Sequence, residues 1–391
     1  MTEKSAPAGL PTLRETLARL VAFPTVSSRS NLDLVAFVED RLAAVGVPAL
    51  RVPDATGAKA SLVARIGPAV PGGVVLSAHS DVVPVEGQPW TSDPFALTAR
   101  DGRLYGRGTC DMKGFLACAL ALAPEMAAAD LRRPILLALS YDEEVGCLGA
   151  PAMIDRLLAD QPRPAAVIVG EPSEMRVVTG HKSSWGFLVG VRGHEAHSSL
   201  LHRGVSAVML AARLVAWMDA TTRANAAAAD PASPYDPPFT TLHVGLIEGG
   251  TANNITARDC RFSGEIRALP HESLEGWRAR VLAEAARLEA EARAVHDGAR
   301  VTVETRMEVP ELAPETDGAA EALARALTGD NGRHVVSRQT EAGQFQARGL
   351  STVVCGPGSI AQAHQPDEFI AEDQLDAGVA FMRRLIDRLA A

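Results

Sequence analysis

Four short and nearly continuous apolar runs constrain the fold of this 391-residue chain more than any other feature of its sequence. The runs are VVLSA at 74–78, ILLALS at 135–140, AVIVG at 166–170 and STVVC at 351–355. Runs of this length without polar alternation are typical of strands that are buried on both faces between helices. The sequence therefore predicts an α/β architecture with a mixed central sheet flanked by helices.

Helices are predicted around these strands. Thr12 and Glu15 have the spacing of a capping box and precede a helix that Pro24 stops. Apolar residues recur at helical spacing over 34–45, and Gly46 follows where a left-handed residue ends many helices. A third, strongly apolar helix is expected at 115–123. The predicted order of strands and helices is that of a layered α/β domain.

The middle of the chain has a different pattern. Apolar and polar residues alternate at 185–191, 242–246, 260–266 and 301–309, with amphipathic helices expected at 205–215 and 274–295. The resulting order, βαββαβ, predicts a ferredoxin-like domain inserted at 182–310. A main domain would then comprise 1–181 and 311–391, and the alanine-rich stretch 224–234 would be a surface loop. Two domains also suit the length of the chain.

Composition limits the kinds of partner. The formal net charge of -9 opposes binding to nucleic acid or to an anionic membrane, so a small-molecule partner is expected. Five cysteines without a CxxC pair suit a reducing compartment. The first 17 residues contain no apolar signal core, and the run FLACALALA at 115–123 is shorter than the ~20 residues that span a bilayer. A cytoplasmic location is therefore predicted.

Histidines and carboxylates follow the predicted buried strands. These residues are His79, Asp81, Asp111, Glu143, Glu144, Glu171 and His364, with Asp111 placed after the glycine-rich turn YGRGTC. In open α/β sheets, ligands bind beyond the carboxyl ends of the strands. A nitrogen and oxygen donor set of this kind suits zinc, manganese or cobalt. Any one of these residues alone would be interpreted as a turn or capping residue, but their recurrence at successive strand ends favours a metal site.

A pair of divalent ions would neutralise these carboxylates, activate a water molecule and polarise a scissile carbonyl. Glu143 and Glu144 are adjacent, and neighbouring side chains do not easily serve one ion. One of the two is therefore expected to bind metal, and the other to act as a general base.

The motifs around these residues resemble those of the zinc aminoacylase family, which contains acetylornithine deacetylase, succinyl-diaminopimelate desuccinylase and glutamate carboxypeptidase. The motifs are His79-Ser80-Asp81, Gly108-Thr109-Cys110-Asp111-Met112-Lys113-Gly114, Asp142-Glu143-Glu144, Gly170-Glu171-Pro172 and Ala363-His364-Gln365-Pro366-Asp367-Glu368. The resemblance covers nearly the whole chain.

The resemblance implies that the protein binds two divalent metal ions. Zinc is the expected metal, and cobalt and manganese are alternatives. The ligands of one ion would be His79, Asp111 and Glu171, and those of the other Asp111, Glu144 and His364, so that Asp111 bridges. The resemblance also implies that Asp81 accepts the second ring N–H of His79. Glu143 would then be the base that deprotonates the water and later protonates the leaving amine.

Two further segments narrow the resemblance to the acetylornithine deacetylases. They are TEAGQF at 340–345 and CGPGSIAQAHQPDEF at 355–369. They imply removal of the acetyl group from N2-acetyl-L-ornithine, a step of arginine biosynthesis. Acetylcitrulline, succinyl-diaminopimelate and a dipeptidase or carboxypeptidase activity remain alternatives. A non-catalytic relative is disfavoured because Asp81 and Glu143 are both present.

In the inserted domain, GHEAHSS at 193–199 resembles the family segment whose histidine reaches the partner's site and stabilises the oxyanion. This implies a lid and dimerisation role for the domain, a homodimer, and His197 as the catalytic histidine, with His194 second. GGTANNI at 249–255 and EIRALP at 265–270 nominate Asn254 and Arg267 for substrate binding. The same sequence would also be expected if the histidines lay in an exposed loop, Asn254 in a turn and Arg267 on the solvent-facing side of a strand.

Gly356 and Gly358 form, with Ala361, a GxGxxA pattern after an apolar strand. The pattern is that of a dinucleotide site, but Pro357 and His364-Gln365-Pro366 interrupt the helix that such a site requires. The backbone amides of the two glycines are instead expected to bind the substrate's carboxylate or to shape the metal pocket.

Overall fold

The computed structural model of the chain describes residues 12–391. The predicted absence of a signal core concerns 1–17, of which 1–11 lie outside the described residues. Within 12–391, every helix is too short or too polar to cross a membrane. The described residues form two compact units. The first contains the chain up to Thr179 with Pro314–His334 and Thr340–Ala391, and the second contains Gly180–Ala313 with Val335–Gln339.

The strands are numbered in chain order. They are β1 (Ala49–Pro53), β2 (Ala60–Ile66), β3 (Val74–His79), β4 (Thr98–Arg100), β5 (Arg103–Tyr105), β6 (Ile135–Ser140), β7 (Ala166–Pro172), β8 (Val178–His181), β9 (Ser183–Arg192), β10 (Thr241–Gly249), β11 (Asp259–Ala268), β12 (Arg300–Val309), β13 (His334–Val336), β14 (Thr352–Gly356) and β15 (Phe369–Ala371). The helices are α1 (Leu13–Val21), α2 (Leu32–Ala43), α3 (Gly114–Ala128), α4 (Ala150–Asp160), α5 (Ala207–Ala227), α6 (Leu274–Arg293), α7 (Ala319–Thr328), α8 (Ala342–Gln346) and α9 (Glu372–Ala390).

The largest sheet has the strand order β1-β2-β6-β3-β7-β14-β8-β13. Strands β6, β3, β7 and β14 are parallel, whereas β1, β2 and β8 pair antiparallel with their neighbours. The sheet is therefore mixed, as predicted. Every residue of the four parallel strands is buried, which explains why their sequences are continuous apolar runs. Because these strands are parallel, their carboxyl ends meet at one edge of the sheet.

Helices of the first unit cover this sheet. Side chains from α1, α2, α3, α7 and α9 share one buried cluster with side chains from β2, β3, β6 and β7. The predicted capping box of Thr12 and Glu15 is present at the start of α1. Gly46 has φ +74° just beyond α2, which is the left-handed conformation expected there. A small sheet of the order β15-β5-β4 completes the unit.

The second unit has the element order β9-α5-β10-β11-α6-β12, the predicted βαββαβ pattern. Its four strands pair antiparallel in the order β10-β11-β9-β12. Alternate residues of β9, from Trp185 to Val191, pack with α5 and α6 in a separate core. The predicted loop at 224–234 is wrong in its first residues, because α5 continues to Ala227. Alanine has the highest helix propensity, which accounts for this extension.

Candidate metal centre

The predicted metal ligands lie where the parallel strands end. His79 is the last residue of β3, and Glu171 lies near the end of β7. Glu144 belongs to the turn that follows β6, and His364 to the segment between β14 and β15. Asp111 lies in the irregular turn Thr109–Lys113 that leads into α3. The first unit thus brings residues from five distant parts of the chain to one edge of its sheet.

Asp111 lies between the two histidines. Its Oδ1 atom is 3.1 Å from Nε2 of His79, and its Oδ2 atom is 3.3 Å from Nε2 of His364. Each histidine also has a second carboxylate neighbour: Glu171 Oε1 is 3.4 Å from His79 Nε2, and Glu144 Oε2 is 2.9 Å from His364 Nε2. This is the arrangement expected of a carboxylate that bridges two ions, each with one imidazole and one further carboxylate.

The donor atoms fit divalent cations. Within the described residues, one oxygen of the buried Glu171 carboxylate makes no hydrogen bond. Potential ligand atoms of His79, Asp111 and Glu144 lie within 4.8 Å of one another, as do those of His79, Glu143 and Glu171. The second group places Glu143 close enough to bind metal or to take a proton from a water molecule held there. The separate roles of Glu143 and Glu144 therefore remain a prediction.

The carboxylates crowd each other electrostatically. Burial raises the pKa of Glu143 well above its ordinary value, and the nearby Glu171 raises it further. Burial and the charge of Asp111 raise the pKa of Glu144 to about 7. Hydrogen bonds to Asp111 and Glu144 raise the pKa of His364 to about 10. These shifts show a concentration of negative charge that divalent cations would compensate.

Asp81 supports the site in two ways. Its backbone carbonyl oxygen is 2.9 Å from Nδ1 of His79, whereas its carboxylate oxygen Oδ1 is 3.5 Å from that atom. The carboxylate accepts hydrogen bonds from the hydroxyl of Ser27 (2.7 Å) and from the backbone N–H groups of Glu143 (3.1 Å) and Glu144 (3.3 Å). The sequence suggested only the contact with His79. The structure adds that Asp81 holds the turn carrying both glutamates.

Two buried polar residues near the site had no role in the sequence analysis. Glu341 accepts hydrogen bonds from Ser77 (2.5 Å), on β3, and from Ser140 (2.6 Å), the last residue of β6. Cys147 donates from its thiol to Glu143 Oε1 at 3.3 Å. Glu341 stands in the quoted segment TEAGQF, but a sequence segment does not show which side chains it meets.

The other candidate residues of the inserted segment lie in the second unit. His197 is exposed, and its Nδ1 atom accepts a hydrogen bond from the backbone N–H of Ser199 at 3.2 Å. Asn254 is also exposed, and its backbone carbonyl oxygen accepts from the backbone N–H of Ser198 at 2.9 Å. A backbone hydrogen bond therefore joins the segment of His197 to the segment of Asn254.

Arg267, also in the second unit, already has polar partners. Its guanidinium pairs with Glu265 and donates to Gln339 Oε1, both at 2.6 Å. His194, the second candidate for the oxyanion role, stacks on the ring of His296 with centroids 3.9 Å apart. Catalytic or substrate-binding roles for the candidates of this unit remain predictions.

The backbone amides of Gly356 and Gly358 have hydrogen-bond partners within the first unit. The N–H of Gly356 donates to the hydroxyl of Ser173, and that of Gly358 donates to Gln374 Oε1, each at 3.1 Å. A Cβ atom at position 356 would lie 2.0 Å from the carbonyl oxygen of Gly170. Glycine is therefore required here for close packing of two strands, and a contact of these amides with substrate remains a prediction.

Two imidazoles and several buried carboxylates at the carboxyl edge of an open α/β sheet define the class of metal-dependent hydrolases. The model of peptidase family M20/M25/M40 matches residues 75–388, and the chain belongs to this family. It is therefore a hydrolase that uses metal ions to cleave amide bonds.

Curated relatives match along nearly the whole chain. An acetylornithine deacetylase of Myxococcus xanthus is 36% identical over 389 residues, covering 96% of this chain and 97% of the relative. One from Proteus mirabilis is 32% identical over 403 residues, covering 97% of both chains. This level of similarity agrees with the subfamily suggested by the sequence motifs.

Solved structures share the fold at low sequence identity. The M20 metallo-carboxypeptidase of Sulfolobus solfataricus has a TM-score of 0.77 at 15% identity, with 97% of this chain and 99% of that chain covered. Human carnosine dipeptidase 1 has a TM-score of 0.73 at 18% identity, with 97% and 96% covered. A dinuclear metal-binding M20 peptidase of Bacillus subtilis has a TM-score of 0.63 at 17% identity, with 96% and 97% covered.

Proposed function

We propose that this enzyme removes the acetyl group from N2-acetyl-L-ornithine to give L-ornithine and acetate, a cytoplasmic step of arginine biosynthesis. The observation that carries the chemistry is the position of Asp111, whose two oxygens face His79 and His364. The curated acetylornithine deacetylases, similar over almost their whole length, support the choice of substrate.

Two divalent ions fit the donor set. His79, Asp111 and Glu171 would hold one ion, and Asp111, Glu144 and His364 the other. Zinc is the metal proposed, as the family resemblance implies, and cobalt and manganese accept the same mixed imidazole and carboxylate ligands. When bound, such ions polarise the scissile carbonyl and lower the pKa of a nearby water molecule.

The protein's own contribution to the reaction centres on Glu143. Its carboxylate takes a proton from the attacking water while the new carbon–oxygen bond forms. The same group then delivers this proton to the nitrogen of the leaving amine as the carbon–nitrogen bond breaks. Burial raises the pKa of Glu143, which makes its carboxylate a stronger base toward this proton.

Two residues of the second unit are proposed to bind substrate. Arg267 is proposed to bind the substrate's carboxylate through its guanidinium, and Asn254 to bind a polar group of the substrate. Gly356 and Gly358, which belong to the first unit, would shape the pocket next to the metal ligands. His197 is proposed to donate a hydrogen bond to the oxyanion in the active site of a partner subunit.

A homodimer through the second unit is proposed to bring His197 to the partner. Strand β10 lies at the edge of the four-stranded sheet, with the side chains of Leu246 and Ile247 75% and 53% exposed. Met209, on the adjacent helix α5, is 64% exposed. An exposed apolar edge strand is a template for pairing with another strand, and a second copy of this chain would cover it.

The substrate assignment is tested by comparing kcat/KM for acetylornithine, acetylcitrulline, succinyl-diaminopimelate and simple dipeptides at a defined metal concentration. Acetylornithine should be the best substrate, and higher kcat/KM for a dipeptide would replace the assignment with a dipeptidase.

Glu143→Gln should reduce kcat by roughly 10²- to 10⁴-fold with metal content unchanged, because it removes the base. Glu86→Gln, at an exposed glutamate, is the matched control and should leave kcat unchanged.

The dimer is tested by sedimentation of Leu246→Glu, which should be monomeric. Leu282→Glu changes a leucine of α6 that is 43% exposed and should remain dimeric.

Mixing His197→Ala with Glu143→Gln protein should restore part of the activity, since each heterodimer would contain one intact site. Confirmed heterodimers without activity would show that each site is self-contained.

A further inference from the structure

We propose that Arg107, Glu368 and Gln88 form a hydrogen-bonded clamp that positions His364 against Asp111 and thereby sets the affinity for one of the two ions. The inference concerns positioning residues that do not touch metal or substrate, and it rests on the two-ion centre proposed above.

The segment that carries His364 is irregular and has many of its contacts with other parts of the chain. His79 and Glu171 lie in buried strands of the central sheet, whereas His364 lies in the irregular connection between β14 and β15. His364 has φ +62° and Asp367 has φ +54°, values that residues with a side chain rarely adopt. Such conformations persist only where surrounding contacts impose them. The contacts that do so are therefore part of the metal centre.

Arg107 and Gln88 supply contacts from outside the segment. The guanidinium of Arg107 donates to the carbonyl oxygen of Gln365 at 3.3 Å and to the side-chain oxygen of Gln88. The side-chain amide of Gln88 donates in turn to the carbonyl oxygen of His364 at 2.8 Å. The indole N–H of Trp90 also donates to the oxygen of Gln88 at 3.1 Å. Gln88 is thus fixed from two sides while it holds the backbone of His364.

Glu368 connects the same arginine to the bridging aspartate. One carboxylate oxygen accepts from Arg107 at 2.7 Å, and the other accepts from the backbone N–H groups of Cys110 at 3.0 Å and Asp111 at 3.1 Å. The side chains of Arg107 and Glu368 are each 1% exposed. In such surroundings charge-assisted hydrogen bonds are strong and directional. One ion pair therefore links the backbone at Asp111 to the backbone around His364.

The clamp should act on the two ions unequally. The ion assigned to His79, Asp111 and Glu171 has two ligands on buried strands, which the clamp does not touch. The ion assigned to Asp111, Glu144 and His364 depends on the spacing between Asp111 and His364. Loss of Gln88, which contacts His364 and not Asp111, should consequently weaken binding of the second ion selectively, whereas a general structural defect would weaken binding of both ions.

The test is a titration of metal-free protein with Co²⁺, followed by the visible absorption of the bound ion and by calorimetry. His364→Ala identifies which of the two binding constants belongs to the second ion. Gln88→Met, which keeps the side-chain length, should weaken that same constant about 10-fold and leave the other within twofold. Arg107→Lys, which retains the charge beside Glu368, should weaken it by about 10- to 100-fold.

Gln161→Met is the matched control. Gln161 is also partly buried and also accepts from an arginine, Arg65, at 2.9 Å. Arg65 pairs with Leu136 near the start of β6, whereas the metal-binding turn follows the end of that strand. Gln161→Met should leave both binding constants unchanged.

Equal weakening of both constants by Gln88→Met, or weakening of neither, would overturn the clamp. Wild-type protein that binds a single ion would instead refute the two-ion centre of the proposed function. In that case, weaker binding of the single ion in both Gln88→Met and His364→Ala would still support the clamp. Unchanged binding in Gln88→Met would refute it.

Discussion

Replacing Asp81 with asparagine should disturb the metal centre through the turn that carries Glu143 and Glu144. The carboxylate of Asp81 accepts from the backbone N–H of Glu143 with one oxygen and from that of Glu144 with the other. An asparagine offers one acceptor oxygen and one NH₂ group. The hydroxyl of Ser27 can rotate to accept from this NH₂ group, but a backbone N–H cannot. One of the two amides is therefore left facing another donor.

The magnitude follows from these contacts. A hydrogen bond to a charged group contributes about 1.5–3 kcal/mol, and a buried amide left without a partner costs about 1–3 kcal/mol. These figures describe overlapping effects, so we expect about 2–4 kcal/mol of lost stability in Asp81→Asn. Although burial opposes ionisation, contacts with His79 and Ser27 hold the pKa of Asp81 below its ordinary value. The folded protein therefore favours the charged carboxylate of Asp81, and the neutral amide of an asparagine does not replace it.

Two measurements check this expectation. Denaturant unfolding of metal-free Asp81→Asn should show the lost stability, and competition titration should show metal affinity lowered by about 10- to 100-fold. Asp330→Asn is the matched control, because Asp330 also accepts from two backbone N–H groups, those of Val177 (2.8 Å) and Gly332 (2.9 Å). It should lose stability with unchanged metal affinity. Unchanged metal affinity in Asp81→Asn itself would refute the role assigned to the turn.

Two further perturbations have outcomes that the structure specifies. In Gly170→Ala the new Cβ would lie 2.1 Å from Cγ of Phe115, so thermal unfolding should show about 1–3 kcal/mol of destabilisation from overpacking. An unchanged melting temperature would contradict that packing. Removal of metal with a chelator should lower the melting temperature, because an ion at about 1,000 times its dissociation constant stabilises by about 4 kcal/mol. Zinc should restore the original value, and a melting temperature insensitive to metal would argue against a site in the first unit.

The central strands could be predicted from sequence because each is buried on both faces. The run ILLALS corresponds residue for residue to β6, and VVLSA forms most of β3. Strands β4, β5 and β15 have three residues each, too few for any periodicity to show. The residues of strand β1 are partly buried or exposed, so its sequence lacks the continuous apolar run of the central strands. In the first unit, the fully buried parallel strands could therefore be predicted, whereas the very short or partly exposed strands could not.

That the candidate ligands would lie together could be predicted because parallel strands place their carboxyl ends at one edge, but the mutual contacts of these residues could not. That His79 and His364 approach different oxygens of Asp111 depends on the conformation of two irregular segments. Glu341 reaches Ser77 across 264 positions of sequence. Contacts over such separations follow from the packing of the whole domain, which no local pattern encodes.

The buried carboxylates explain why fold and metal binding should be coupled in this enzyme. Burial is the largest cause that raises the pKa of Glu143 and Glu144, and neighbouring carboxylates raise both further. Two positive ions would remove this mutual repulsion, so ions that bind only the folded chain would stabilise it. The same crowding explains why rigid supports lie behind the ligands: without Asp81 and Glu368 to hold the backbone, like charges could move apart and relieve their repulsion at the expense of the site.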